Sequence, residues 1–318
     1  MIRPLALGDL VTLLIHRGRP PYNEATTKDN LQPSPATRLP VSAFVGRWLP
    51  LRQGGQGWVW IEKGHLEGLI SARRRSGRNV WEVDNLLLTG QDKGMCLALL
   101  DRLSSAGGKL RVTKIFLRLP QTSPVIEMAQ GAGFSPYLEE HLYRLQARPS
   151  RRPGKPDLHP YAFRPRLKAD GYDLFQLHTA AVPAPVRCTE GMTLQEWQQT
   201  RERRTGKGRP REFICHREGS LVGWLRVRAL SGVGQLELMA HPAEESELEA
   251  MLRYSLARLS HNPCLLCLTP TFQGELQRLL RQHRFEEVAK YTTLVKELAV
   301  RVAQPVRAPQ PVRGPMRA

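Results

Sequence analysis

The sequence predicts a mixed α/β protein, a sheet with helices on both faces, built as two tandem copies of one domain. Three observations carry that prediction. The chain matches itself at an offset of about 155 residues, in three places and in the same order. Each copy contains two apolar runs joined by a charged turn ending in glycine, the signature of a β-hairpin. After each hairpin, strand-like and helix-like runs alternate, as a strand–helix–strand crossover with parallel pairing requires.

The elements follow in order. "IRPLALGDLVTLLIH" (2–16) matches "FRPRLKADGYDLFQLH" (163–178): apolar-Arg-Pro, a turn with Asp or Gly, then an amphipathic run that predicts a helix over 9–16 in the first copy. A proline-rich, irregular segment occupies 18–50. "WVWIEKGHLEGLI" (58–70) matches "FICHREGSLVGWL" (213–225), with strands 58–62 and 68–74 around Gly64, the counterpart of Gly219. A strand at 80–88, a helix at 94–105, a strand at 114–119 and a helix at 123–131 come next. "GAGFSPYLEEHLYRL" (131–145) then matches "QHRFEEVAKYTTLVK" (282–296), where a helix ends at Phe and strand residues follow. The copies are delimited as 1–146 and 161–300. Between them lies a linker rich in Pro and Arg (147–160), and after them a Pro/Arg tail (301–318) that lacks the apolar residues to build a core.

The totals agree with two domains. The chain has 318 residues, 41% of them hydrophobic, against roughly 150 residues per domain. No apolar run approaches the ~20 residues of a spanning helix, and the first residues lack a cleavage pattern. Five scattered cysteines suggest reduced thiols, so a cytoplasmic location is expected. With 47 Lys+Arg against 29 Asp+Glu the net charge is +18, which favours anionic partners and says nothing about fold.

This order, with an "IRP…D" opening and a "GF" before the last strand in the first copy, resembles the GNAT N-acetyltransferase superfamily in tandem form. The resemblance implies acetyl-CoA as co-substrate and an amine, on a small molecule or a protein, as acyl acceptor. The family's Gln/Arg-x-x-Gly-x-Gly/Ala motif maps to Gln91-Asp92-Lys93-Gly94-Met95-Cys96. It implies that these residues and Leu97 hold the coenzyme diphosphate, with Leu86, Leu87 and Leu88 on the strand beside it. Small residues let the backbone approach the phosphates, and a helix N-terminus offers unpaired donors with partial positive charge. Cys96 departs from the motif. In the second copy "LELMAHPAEESELEAMLRYSLARL" (236–259) has no glycine, and Glu244, Glu245, Glu247 and Glu249 at its helix start would repel a diphosphate. Coenzyme binding is therefore expected in the first copy alone.

Catalysis by the family uses a base, often a carboxylate of the fourth strand. Glu82 and Asp84, two residues apart, share one sheet face and are the candidates. An ion pair with the arginines at 73–75 is the alternative role for them. The tyrosine acid of many members is replaced by Ala129 and Leu280, and an asparagine by Thr122 and Gln273. Tyr137 and Tyr143 lie nearby on strand segments and read as packing residues.

Other motifs carry less. Cys264 and Cys267 have C-x-x-C spacing, but on a strand that puts the sulfurs on opposite faces, so no metal site is expected. "RERRTGKGRPRE" (201–212) resembles part of a phosphate-binding loop but precedes a strand rather than a helix, and it lacks the aromatic residues of specific nucleic-acid readers. Thr193 and Glu196 form a capping box opening a helix. His16, His178, His216 and His241 show no partner spacing and read as structural. Three functions follow as expectations: an acyl-CoA-dependent N-acyltransferase working through the first copy; an inactive tandem binding or regulatory protein; or a basic polyanion-binding protein.

Overall fold

The computed structural model describes residues 1–6, 8–9, 22–31, 56–90, 92–146, 159, 161–202, 208, 210–242 and 246–299. Residues 10–16 of the expected helix over 9–16, Gln91, Glu244 and Glu245, most of the basic loop at 203–209, all of the linker but His159, and the tail lie outside them. In the first copy the strands are β1 (Ile2–Pro4), β2 (Tyr22–Asn23), β3 (Gln56–Glu62), β4 (His65–Arg74), β5 (Val80–Leu88), β6 (Lys114–Pro120) and β7 (Ser135–Gln146). Its helices are α1 (Lys93–Lys109) and α2 (Val125–Gly131). The second copy has β8 (Ala162–Pro165), helices α3 (Gly171–Ala181), α4 (Ala184–Glu190) and α5 (Leu194–Thr200), then β9 (Arg211–Arg217), β10 (Ser220–Leu230), β11 (Val233–Ala240), α6 (Ser246–Arg258), β12 (Cys264–Pro270), α7 (Gly274–Gln282) and β13 (Glu286–Glu297). The strand at 80–88 has the expected bounds, and the neighbouring strands differ by up to three residues at an end.

The repeat in the sequence is a repeat of interactions. Arg3 pairs with Asp9 through both guanidinium nitrogens, and Arg164 pairs with Asp170 in the same way. Each aspartate also accepts a backbone N–H three residues before it, Ala6 in one copy and Leu167 in the other, at 2.8 and 2.7 Å. The Arg-Pro…Asp motif is thus a brace between the first strand and the segment that follows. The hairpin turns repeat as well: Lys63-Gly64 and Glu218-Gly219 both take positive φ, the region glycine enters without cost. The "GF" position works alike in both, Phe134 N–H donating to Ala129 C=O and Phe285 N–H to Leu280 C=O.

The strands form one sheet in the order β1-β3-β4-β5-β6-β13-β7-β12-β11-β10-β9-β8. At its centre the copies interlock. β13, the last strand of the second copy, lies between β6 and β7 of the first and pairs antiparallel with both. Reciprocally β7 lies between β12 and β13. The two copies are consecutive in sequence but interleaved in space.

Helices α1, α2, α6 and α7 cover one face. Met95, Leu99 and Leu103 of α1 bury against Ile70, Val83 and Leu117, while Met251 and Leu252 of α6 and Leu276 and Leu280 of α7 do the same in the second copy. The opposite face carries α3 and α5, whose Leu174, Leu177 and Trp197 pack on Ile214 and Trp224. That second face also holds buried arginines and carboxylates.

Candidate functional site

β5 and β6 run parallel and are paired only over Val80–Glu82 and Lys114–Phe116. Beyond that the two strands part like the prongs of a fork. Just past the paired stretch β5 carries a bulge: Ser71 faces Asn85 and Ala72 faces Val83, which leaves Asp84 as the extra residue. The equivalent strand of the second copy, β11, pairs with β10 without interruption. Bulges near the forks of sheets re-aim side chains, and here only the first copy has one.

At the open end of the fork stands the start of α1. Asp92 is its N-cap, and its Oδ1 accepts from Gly94 N–H at 2.8 Å and Met95 N–H at 3.2 Å. Cys96 is fully buried beneath, its thiol pushed up to about 12 by burial, then by the charges of Glu24 and Asp92. It is a core residue. A side chain on Gly94 would meet only the Asp92 carboxylate, and one on Gly90 would meet nothing within 4 Å. The backbone here leaves room for a bulky group, while the donors that would hold it are bonded to a carboxylate.

The fork is filled by the chain itself. Residues 22–31 run between the prongs. β2 pairs antiparallel with Leu87 and Leu88. Leu86 N–H donates to Asn23 Oδ1 at 2.9 Å, and Leu86 C=O accepts Glu24 N–H at 2.9 Å. On the other prong, Arg118 C=O accepts Thr26 N–H at 2.8 Å. Ala25 is buried in the core under the fork, and Ser123 Oγ donates to Glu24 Oε2 at 2.7 Å. The segment then crosses to the second copy. Asp29 is clasped between Arg73 (2.6 Å) and Arg228 (2.5 Å), and Lys28 Nζ reaches Glu237 at 2.8 Å.

Glu82 and Asp84 do share a face, with Arg73 and Ser71 of β4. Glu82 is held by Arg73 at 2.9 Å and Arg75 at 3.4 Å, the ion pair the sequence offers as its alternative role. Burial and the nearby Glu202 outweigh these arginines and raise its pKa. Asp84 accepts from Ser71 Oγ at 2.7 Å, and burial raises it too. Beyond them lies a network joining both copies: Arg118 donates to Glu140 of β7 (2.6 Å) and to Glu202 of the second copy (2.6 Å), and Thr293 of β13 donates to the same Glu140 (2.7 Å).

This network borders a cavity of about 170 Å³ between the copies, at the inner end of the filled fork. Arg75, Arg118 and Tyr137 line it from the first copy, and His178, Glu190 and Trp197 from the second. Tyr137 is the extra residue of a bulge in β7, which stands its ring edge-on against Phe116. Its hydroxyl donates to Glu190 Oε1 at 3.5 Å, and Glu190 Oε2 lies 3.2 Å from His178 Nε2. Burial, then Glu190, lifts the Tyr137 pKa well above the ordinary phenol, so it stays protonated. Tyr137, His178 and Glu190 are the residues that reading the sequence assigns to packing or passes over. No spacing joins them, because the bulge and the meeting of the copies bring them together.

The other motifs fall as follows. Cys264 and Cys267 are buried in two different clusters on opposite faces of β12. Thr193 and Glu196 exchange both bonds of the capping box. Tyr143 is buried, with its hydroxyl between Arg281 and Glu287. The helix start of the second copy carries Glu247 and Glu249. Glu247 is buried, with Oε2 unpartnered among the described residues, and burial lifts its pKa to about 7. Unfolding returns that group to an ordinary value, so the folded state weakens as pH rises from ~4.5 through 7. Glu247→Gln is expected to stabilise the protein by about 2 kcal/mol at pH 8 and by little at pH 4, measured by urea melts at both.

This two-copy sheet, with a crossover and a fork in each copy, is a tandem GNAT fold. The chain is similar to a tandem GNAT protein from the clavulanic acid biosynthesis pathway at 15% identity, with 93% of this chain and 98% of that one covered and a TM-score of 0.55. It is similar also to a GCN5-related N-acetyltransferase from Sphaerobacter thermophilus (13%, 93% and 95% covered, TM-score 0.56) and a putative acetyltransferase from Pyrococcus horikoshii (13%, 94% and 90%, TM-score 0.55). No protein-family model matches the sequence, and no curated protein does. Among the described residues no helix is long and apolar enough to cross a membrane.

Proposed function

We propose that the chain is an acyl-CoA-dependent N-acyltransferase acting through its first copy on an amine. The observation that carries this is the asymmetry between the forks. Only the first copy combines a bulge in the fork-lining strand with a helix start whose glycines leave space. The coenzyme would supply the acyl thioester. Leu86–Leu88 would offer it a strand edge to pair with, and the backbone around Gly94 would approach its diphosphate, with Lys93 adding charge. The inter-copy cavity at the inner end would receive the amine.

Glu82 or Asp84, neither of which lines the cavity, would take the proton of the attacking amine by way of an intervening group in this reading, the raised pKa of each making it a stronger acceptor than an ordinary carboxylate. Tyr137 would replace the missing tyrosine at Ala129 as the proton donor, since it lines the cavity; its raised pKa makes it a weaker acid than an ordinary phenol. Calorimetry with acetyl-CoA tests the binding: one site per chain is expected, and no heat would sink the proposal. Across an amine panel, Tyr137→Phe is expected to lower kcat about 10²-fold with KM little changed. Glu82→Gln and Asp84→Asn, assayed separately, identify the base.

A second reading is favoured by a specific observation. Asp92 occupies the helix-start donors and residues 22–31 occupy the fork, as in a protein that keeps the fold for binding without transfer. Failure to bind acetyl-CoA, or binding without turnover of any amine, would select it.

A further inference from the structure

We propose that residues 22–31 are an internal competitor for the coenzyme slot, a strap that holds the fork closed and must leave before a coenzyme enters. The inference rests on the reading of the first fork as the coenzyme site.

The strap satisfies what a coenzyme arm would satisfy. A forked pair of strands leaves N–H and C=O groups on both inner edges, and unpaired buried backbone groups are costly. An extended chain laid along one prong meets that need in the manner of an added strand. Here Asn23 and Glu24 complete Leu86 on one prong, and Thr26 completes Arg118 on the other. The amides of a pantetheine arm carry the same donor and acceptor types, so arm and strap compete for the same edge atoms. The polar ends are matched as well. At the helix start Asp92, just outside the strap, accepts from Gly94 and Met95 N–H, so one carboxylate of the chain already holds donors a phosphate would use, while Glu24 of the strap is bonded to Ser123 Oγ. At the inner end Lys28 lines the inter-copy cavity. The strap therefore runs along the slot from Leu88 to the chamber.

Its fastening suggests how it is released. Between the two ends the strap is held by backbone hydrogen bonds, by the side chains of Asn23 and Glu24, which accept from Leu86 N–H and Ser123 Oγ, and by the buried Ala25 and Thr27. The stronger hold is Asp29, whose two oxygens bind Arg73 of the first copy and Arg228 of the second, and Leu31, which packs with Leu142 and Leu268. The latch thus spans both copies while the strap fills only one fork. If the closed form dominates, the apparent affinity for coenzyme falls by the fraction of open molecules. Loosening the strap restores it.

The test uses the full chain, acetyl-CoA as probe, and two variants. Asn23→Ala with Thr26→Pro removes the side-chain acceptor for Leu86 and the N–H bonded to Arg118; Asp29→Asn weakens the latch without touching the fork. Both are expected to bind acetyl-CoA at least tenfold more tightly than the wild type. In the wild type, acetyl-CoA is expected to remove hydrogen-exchange protection from the Glu24 and Thr26 amides. Thermal melts establish that each variant is folded. Equal affinities, with those amides still protected in the presence of coenzyme, would overturn the strap while leaving the acyltransferase reading intact. No binding by a folded variant whose strap amides exchange freely would overturn the reading and the strap together.

Discussion

Residues 1–146 produced alone are expected to aggregate or remain unfolded, whereas the two halves produced together and cut within 147–160 are expected to form one stable particle. β6 and β7 do not touch in the sheet; β13 lies between them and pairs with β6 from Lys114 to Pro120 and with β7 from Ser135 to Arg144. Without the second copy a strand-wide gap opens at the centre of the sheet. Both of its edges are long and unpaired, which is the condition for edge-to-edge aggregation. The missing strand also removes Leu294 from the core of the first copy and Thr293 from Glu140. Size-exclusion chromatography and circular dichroism of the separate and co-produced halves check this. A folded monomeric 1–146 would mean that β7 can repair its own sheet.

The second large effect is expected at Arg118. This fully buried guanidinium holds Glu140 and Glu202 together, one from each copy. Burial pushes the Glu202 carboxyl up, but Arg118, Lys28 and Arg75 outweigh it and hold it well below the usual range. Arg118→Met leaves two buried carboxylates facing each other, which costs about 3–5 kcal/mol as for any half-removed buried pair. The sign with pH follows. With Arg118 gone, burial pushes the Glu202 carboxyl up against Lys28 and Arg75 alone, so the variant's deficit grows as pH rises above ~4.5 and shrinks on acidification. The wild type shows the reverse for Glu202, whose depressed pKa contributes stability above ~4.5 that disappears as pH falls. Denaturant melts at pH 5 and pH 8 should therefore show a larger Arg118→Met deficit at pH 8. Adding Glu202→Gln to Arg118→Met is expected to restore part of it, because a neutral amide needs no counter-charge.

Much of this was legible beforehand. Local periodicity is a property of neighbouring residues, so β5 and α1 could be read directly, and the Thr193–Glu196 box is fixed by a spacing of three. The duplication could be read because Arg-Pro…Asp, the Gly64 and Gly219 turns and Phe134 and Phe285 each perform a local task that both copies retain. The candidate site was legible only in part. Glu82 and Asp84 were found because alternation on a strand places them on one face. Their partners Arg73 and Arg75 were visible as a charged run, but not the choice between base and ion pair. The strap could not be read, since nothing in "YNEATTKDNL" announces that its backbone will complete Leu86 and Arg118. Tyr137 looked like packing because a bulge, invisible to a two-residue period, re-aims it.

By itself the sequence determined the two copies, their strand and helix order, the asymmetry between a glycine-bearing helix start at Gly94 and an acidic one at Glu247, and the inert placement of Cys264 and Cys267. These rest on interactions within a few residues, or on charge and size alone. Only the tertiary structure decided that β7 and β13 interleave, that Arg118 joins Glu140 to Glu202, that Tyr137 meets Glu190, and that residues 22–31 lie in the fork. Each of those depends on unpaired backbone edges and buried charges finding partners tens to hundreds of residues away, and that pairing is selected by packing rather than by any local pattern.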